Sequence, residues 1–284
     1  MRLAVVVLLS LLACAAPRAE NTDITFESRD ARLTGLLRTP SGRGRHPAVV
    51  LVHGSGQVTA DQIMRSPAGR LVAAGFAVFA YDKRGVGRST GEYTSIGPGN
   101  SERMFDLLAA DAIAAVDTLR GRRDIDPARI GLLGFSQAGW IAPLAASRSR
   151  AIKFVAIVSG PAVSVGEEIA YSRLAGEDPG SLQGVDDVEI ERRMRAFTGP
   201  HGYTPEPVLR ALRTPSLWVL GEKDRSIPLK RTVEILEVIR KTGRPITLHV
   251  VPGVNHGLRN TLTGEQPDVW PPIIEWLKDR TESR

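Results

Sequence analysis

Six short apolar runs constrain this chain more than any other feature. They fall at residues 48–52 (AVVLV), 76–80 (FAVFA), 130–133 (IGLL), 154–158 (FVAIV), 217–220 (LWVL) and 246–251 (ITLHVV). They are rich in branched and aromatic residues and nearly continuous, not alternating. Strands buried on both faces read this way, which points to a parallel sheet covered by helices. Helix-period stretches at 101–119, 137–146, 229–241 and 269–280 separate several of the runs. Two earlier segments, 24–27 and 33–38, read as an antiparallel lead-in. The fold class expected is therefore α/β. No repeat or low-complexity segment interrupts it.

One interval breaks the alternation. Residues 161–215 are polar, charged and helix-leaning, and they lie between two strands. That is far longer than an ordinary crossover, and long insertions in compact domains are usually functional. A small helical cap over the end of the sheet is expected. The plainer alternative is an elaborated crossover without a binding role.

The first residues, MRLAVVVLLSLLACAA, combine one positive charge, an apolar run and small residues. This is the pattern of a secretory signal peptide over 1–19, leaving one catalytic domain over 20–284. Ala13-Cys14-Ala15 fits a cleavage site, which leads to a periplasmic or secreted protein. Residues 11–14 (LLAC) also resemble a bacterial lipobox, in which a lipidated Cys14 would anchor the chain to a membrane. Cys14 is the sole cysteine, so neither an internal disulfide nor a CxxC metal site can form. The formal charge is +6, but acids break up each basic cluster and aromatics are only 5%. A nucleic-acid face would need a basic stripe with interleaved aromatics, so no nucleic-acid partner is expected.

Ligands of open parallel sheets bind beyond the carboxyl ends of the strands, so reactive residues should follow the apolar runs. Four positions do. Ser136, in GFSQAG at 134–139, sits between a strand and a helix. A serine on that corner is lifted clear of the sheet, and the next N–H, that of Gln137, faces a developing oxyanion. The usual pattern is G-x-S-x-G; here Ala138 stands in the second glycine's place and Gly139 follows. On its own such a serine could equally be a helix N-cap. HGSG at 53–56 ends a strand and can supply a second N–H, from Ser55 in preference to Gly56. His53 reads as a brace for this loop, and a plain turn would also explain Gly-Ser-Gly. Asp224, in GEKDRSIP at 221–228, can orient a histidine, with Glu222 as a weaker rival and a turn aspartate as the plain reading. His256, in PGVNHG at 252–257, is presented on a loop, whereas His46, His53, His201 and His249 are worse placed. An imidazole suits the general base for a hydroxyl.

The chain order Ser136, Asp224, His256 is that of the α/β-hydrolases. HGSG, YDKRGVGRSTG at 81–91, GFSQAG, GEKDRSIP and PGVNHG together resemble that superfamily across the chain after the leader. Within it they are similar to bacterial serine esterases and serine-aminopeptidase-like hydrolases. The resemblance implies an eight-stranded, mostly parallel sheet with the cap after the sixth strand. It implies hydrolysis of a small acyl ester through an acyl-enzyme, without metal or organic cofactor. Ser136 would be the nucleophile, His256 the base, Asp224 its partner, and the Ser55 and Gln137 N–H groups the oxyanion hole. An exopeptidase is the alternative, with Glu167, Glu168, Glu189 and Glu191 holding an amine; solvated helix faces explain those acids more simply. A non-catalytic protein on this scaffold is the remaining class. Gly85-Val86-Gly87 imitates a dinucleotide turn, but Gly91 comes one residue too late for it. Asp82, Lys83 and Arg84 read as a charged brace beneath the site loops.

Overall fold

The computed structural model describes residues 20–176, 181–182 and 185–282. The expected leader and Cys14 lie outside the described residues. Two strands, β1 (Glu20–Ser28) and β2 (Ala31–Thr39), form an antiparallel hairpin. The others are β3 (His46–Val52), β4 (Ala77–Tyr81), β5 (Ile125–Phe135), β6 (Val155–Val158), β7 (Ser216–Gly221) and β8 (Ile246–Val251). All eight join one sheet in the order β1-β2-β4-β3-β5-β6-β7-β8, and every pair from β4 to β8 in that order is parallel. The eight-stranded, mostly parallel sheet is the α/β-hydrolase fold expected from the sequence.

Why the runs read as continuous is visible in β3. Ala48, Val50 and Val52 face one apolar layer, while Val49 and Leu51 face the other, and all five are buried. Helices α1 (Ala60–Met64), α2 (Pro67–Ala73) and α9 (Trp270–Thr281) cover one face. Helices α3 (Ser101–Arg120), α4 (Ala138–Arg148), α7 (Glu206–Ala211) and α8 (Leu229–Lys241) cover the other. The exception among the runs is β8. It lies at the sheet edge and alternates half-buried with exposed residues, because no further strand covers its outer side. Sequence periodicity did not reveal α1 and α2; both are short, and Thr59 starts α1 with a capping box to Gln62.

The cap is helical and follows β6, with α5 (Val165–Ala175), α6 (Asp187–Arg195) and α7 between that strand and β7. Ser164 caps α5 reciprocally with Glu167. Arg225–Asp187 and Lys230–Glu191 ion pairs link α6 to the body of the molecule.

Candidate active site

The site is built at the strand-to-helix corner after β5. Ser136 occupies that corner at φ +51°, one of four non-glycine residues in left-handed backbone among those described. Its N–H is held by the Val158 carbonyl at 2.9 Å, which ties the turn to β6. Ser136 is not the N-cap. Gln137 takes that position with helical φ and ψ, and α4 begins at Ala138. The helix-cap reading of this serine therefore fails, and its hydroxyl is left for another partner.

That partner is His256, whose Nε2 lies 3.0 Å from Ser136 Oγ. The other ring nitrogen, Nδ1, lies 2.8 Å from Asp224 Oδ2. With Nδ1–H donated to the carboxylate, Nε2 is the acceptor for the serine hydroxyl. Asp224 is itself fixed, since its Oδ1 accepts from the Ser226 and Ile227 N–H groups at 2.8 and 3.0 Å. Its side chain is buried, so its remaining oxygen is available only to His256. The rival Glu222 is spent elsewhere, accepting the Gly253 N–H at 2.8 Å.

The His256 loop is placed by backbone contacts that sequence reasoning missed. A side chain at Gly221 would come within 2.6 Å of the Val254 and Asn255 carbonyl oxygens, so that loop packs against the end of β7. Ser159, buried and also at positive φ, donates its hydroxyl to the His256 carbonyl at 2.8 Å. The signal for Ser159 was only its position directly after an apolar run. A serine there has too many other uses to stand out.

On the opposite side of Ser136 lies the turn after β3. A side chain at Gly54 would touch the Ser136 Cβ at 3.5 Å. Among the described residues, neither the Ser55 N–H nor the Gln137 N–H has a hydrogen-bond acceptor. Unpaired donors beside a nucleophile position are what an oxyanion hole requires. His53 braces this turn, as its sequence position suggested. Its Nε2 bonds the Tyr81 carbonyl, and its ring meets the Tyr81 ring edge-on at 4.7 Å between centroids. Burial, reinforced by the Lys83 charge, lowers its pKa to about 3, so it stays neutral.

Asp82, Lys83 and Arg84 form the expected brace, and the structure gives each a separate task. Asp82 accepts the Ala60 and Arg88 N–H groups at 2.8 Å each. Gly87 sits at φ +58°, where a side chain would run into that carboxylate at 2.6 Å. Turn geometry thus explains this glycine with no nucleotide. Arg84 reaches Asp111 of α3 at 2.8 Å and Asp30 of the β1–β2 turn at 2.6 Å. Lys83 has the most direct bearing on the site. Its ammonium donates to the Gly54 carbonyl at 2.7 Å, the Gly56 carbonyl at 3.1 Å and Gln137 Oε1 at 3.1 Å. One buried cation therefore joins both donor turns. Desolvation lowers its pKa to about 8.

The cap glutamates meet partners within the protein. Glu167 serves the α5 cap and His201. Glu189 pairs with Arg192 and Arg193, and Glu191 with Lys230 and Arg195. Glu168, the fourth, is half-buried in the first turn of α5. Among the described residues, no group of three or more His, Cys, Asp or Glu could hold a metal ion.

The fold is that of the α/β-hydrolases. Comparisons with known proteins agree. The serine aminopeptidase S33 family matches residues 44–178. The esterase EstD of Thermotoga maritima is 27% identical over 231 residues, 72% of this chain and 54% of its own length. The chain thus spans about half of that relative. A solved esterase of Pyrococcus furiosus superposes with a TM-score of 0.67 at 19% identity, covering 92% of this chain and 90% of its own. The acylaminoacyl peptidase of Pyrococcus horikoshii gives a TM-score of 0.66 at 17% identity, covering 94% of this chain and 43% of its own. These two likenesses show the shared fold. The chain has the α/β-hydrolase fold and is similar to hydrolases of the esterase and aminopeptidase-like type.

Proposed function

We propose that the protein is a serine hydrolase that cleaves carboxylic esters of small substrates through an acyl-enzyme. The observation that carries this reading is the hydrogen-bonded series Ser136–His256–Asp224 on a strained turn. Ser136 Oγ attacks the ester carbonyl carbon while His256 Nε2 takes its proton. The carbonyl π electrons move onto oxygen, where the Ser55 and Gln137 N–H groups receive the charge. As the C–O bond to the alcohol breaks, His256 returns the proton to the departing oxygen. Water then repeats the sequence on the acyl-enzyme and releases the acid and Ser136. Asp224 holds the imidazole tautomer and steadies the imidazolium.

The similarity to the S33 aminopeptidase family favours an exopeptidase as the second reading. An exopeptidase would need an acid free to take the substrate amine. Glu189 and Glu191 carry two basic partners each, which supports the ester reading over it.

The test is turnover of short-chain p-nitrophenyl esters beside aminoacyl p-nitroanilides. Wild type should release nitrophenol from the esters and far less nitroaniline from the amides. Ser136→Ala should lose at least ~10³-fold in kcat, with a melting curve close to wild type. Retention of full ester turnover by that variant would show that Ser136 is not the nucleophile.

A further inference from the structure

A cavity of about 180 Å³ is walled in part by the two residues that carry the unpaired donors. Ser55 and Gln137 form part of its wall, with Tyr93, Ile96 and, from α3, the buried Met104 and Leu108. We propose that this cavity is the acyl pocket, and that it takes acyl chains of about two to six carbons without a negative charge. The proposal rests on Ser136 as the nucleophile and names the substrate class of that same site.

Stereochemistry decides which half of the substrate enters. The tetrahedral carbon carries the serine oxygen, the oxyanion, the alcohol oxygen and the acyl chain. The oxyanion points at the two N–H donors. The alcohol oxygen must face His256 Nε2 to collect its proton. The remaining arm leaves on the donor side, away from the imidazole. Ser55 and Gln137 line this cavity, and His256 is not among its described wall residues. The larger cavity, of about 960 Å³, lies between the cap and the β7–α8 loop, and neither Ser55 nor Gln137 lines it.

Charge and volume set the class. Lys83 lines the small cavity, but its ammonium serves three protein oxygens. Arg84 is likewise engaged by Asp111, Asp30 and the Ser28 carbonyl. These cations have their partners, and the exposed Glu92 in the same wall opposes an anionic chain. An apolar cavity of about 150 Å³ accommodates benzene, with its six carbons. About 180 Å³ therefore fits a chain of similar size, and an octanoyl group overruns it.

The experiment measures kcat/KM for p-nitrophenyl acetate, butyrate, hexanoate, octanoate and decanoate. In wild type it should rise by up to about fourfold per methylene to butyrate or hexanoate, then fall. Ile96→Trp fills the cavity and should cut the hexanoate-to-acetate ratio by about tenfold or more. Met104→Ala enlarges it and should move the optimum to longer chains. Both variants are read as ratios, and melting curves confirm that they fold. A steady rise to decanoate in wild type overturns the proposal, as do ratios unchanged in folded variants. If Ser136→Ala is inactive while those ratios stay put, only the pocket assignment fails. If Ser136→Ala remains active, the nucleophile assignment fails first.

Discussion

At the scale of single residues, the chain stores strain at the position proposed for its nucleophile. Ser136 is held at φ +51° although it is not glycine. That backbone costs an L-residue about 1–2 kcal/mol. Glycine would remove this cost but adds about 0.4–1 kcal/mol of unfolded-state entropy. Ser136→Gly should therefore be inactive yet more stable by about 0.5–1 kcal/mol, with a Tm raised by ~2 °C. Calorimetry decides it, and a Tm below wild type would mean that the turn carries no strain. Ser136 was legible from its glycine flank and its place after an apolar run. Its conformation was not, because φ is set by how β5 and α4 meet.

At the scale of elements, the displaced glycine of GFSQAG has a structural account. A side chain at Gly134 would lie 2.3 Å from the Ala138 Cβ. The methyl at 138 thus occupies space that Gly134 leaves open, and α4 starts without displacement. Gly139 answers a different demand. A side chain there would meet the Pro161 carbonyl oxygen at 2.7 Å and its nitrogen at 2.8 Å, both backbone atoms. The first turn of α4 packs against the loop after β6, and that loop carries Ser159. Gly139→Ala should cost about 1–3 kcal/mol, since backbone cannot yield cheaply. Ala138→Gly should lose only about 1 kcal/mol. Urea unfolding of the pair tests the contrast, and equal stabilities would refute it. The displacement of the second glycine was legible in the sequence; which neighbour each glycine faced was not.

At the scale of the whole molecule, Lys83 unites segments distant in the chain. It follows β4, yet binds the turn after β3 and the side chain at the head of α4. Its pKa falls to about 8 from an ordinary 10.5 because burial disfavours the charge. Below about 8 the ammonium has three hydrogens for three acceptors. Above it the amine has two, and one acceptor loses its donor. The kcat for esters should therefore decline as pH rises through about 8. Stability should move the other way. Between pH 8 and 10.5 the unfolded chain binds more protons than the native one, so this group's contribution rises with pH. Lys83→Met should lower kcat by about 10-fold or more and abolish that alkaline decline. A pH profile through this range, with a melting series alongside, reads both effects. Identical profiles for wild type and variant would exclude the role.

The sequence by itself determined the sheet, its helical layers, the cap interval and the chain order of Ser136, Asp224 and His256. Burial periodicity is local, and a strand shielded on both faces announces itself in five residues. Chain order is likewise written directly. Tertiary structure alone decided the distances of 3.0 and 2.8 Å that link the three side chains. It alone decided that Glu222 is diverted to Gly253 and that Ser159 holds the His256 loop. It also gave the charged brace read after β4 its partners, with Lys83 joining two turns. Those outcomes depend on parallel register between strands far apart in sequence, and register is a property of the packed sheet, not of any one segment.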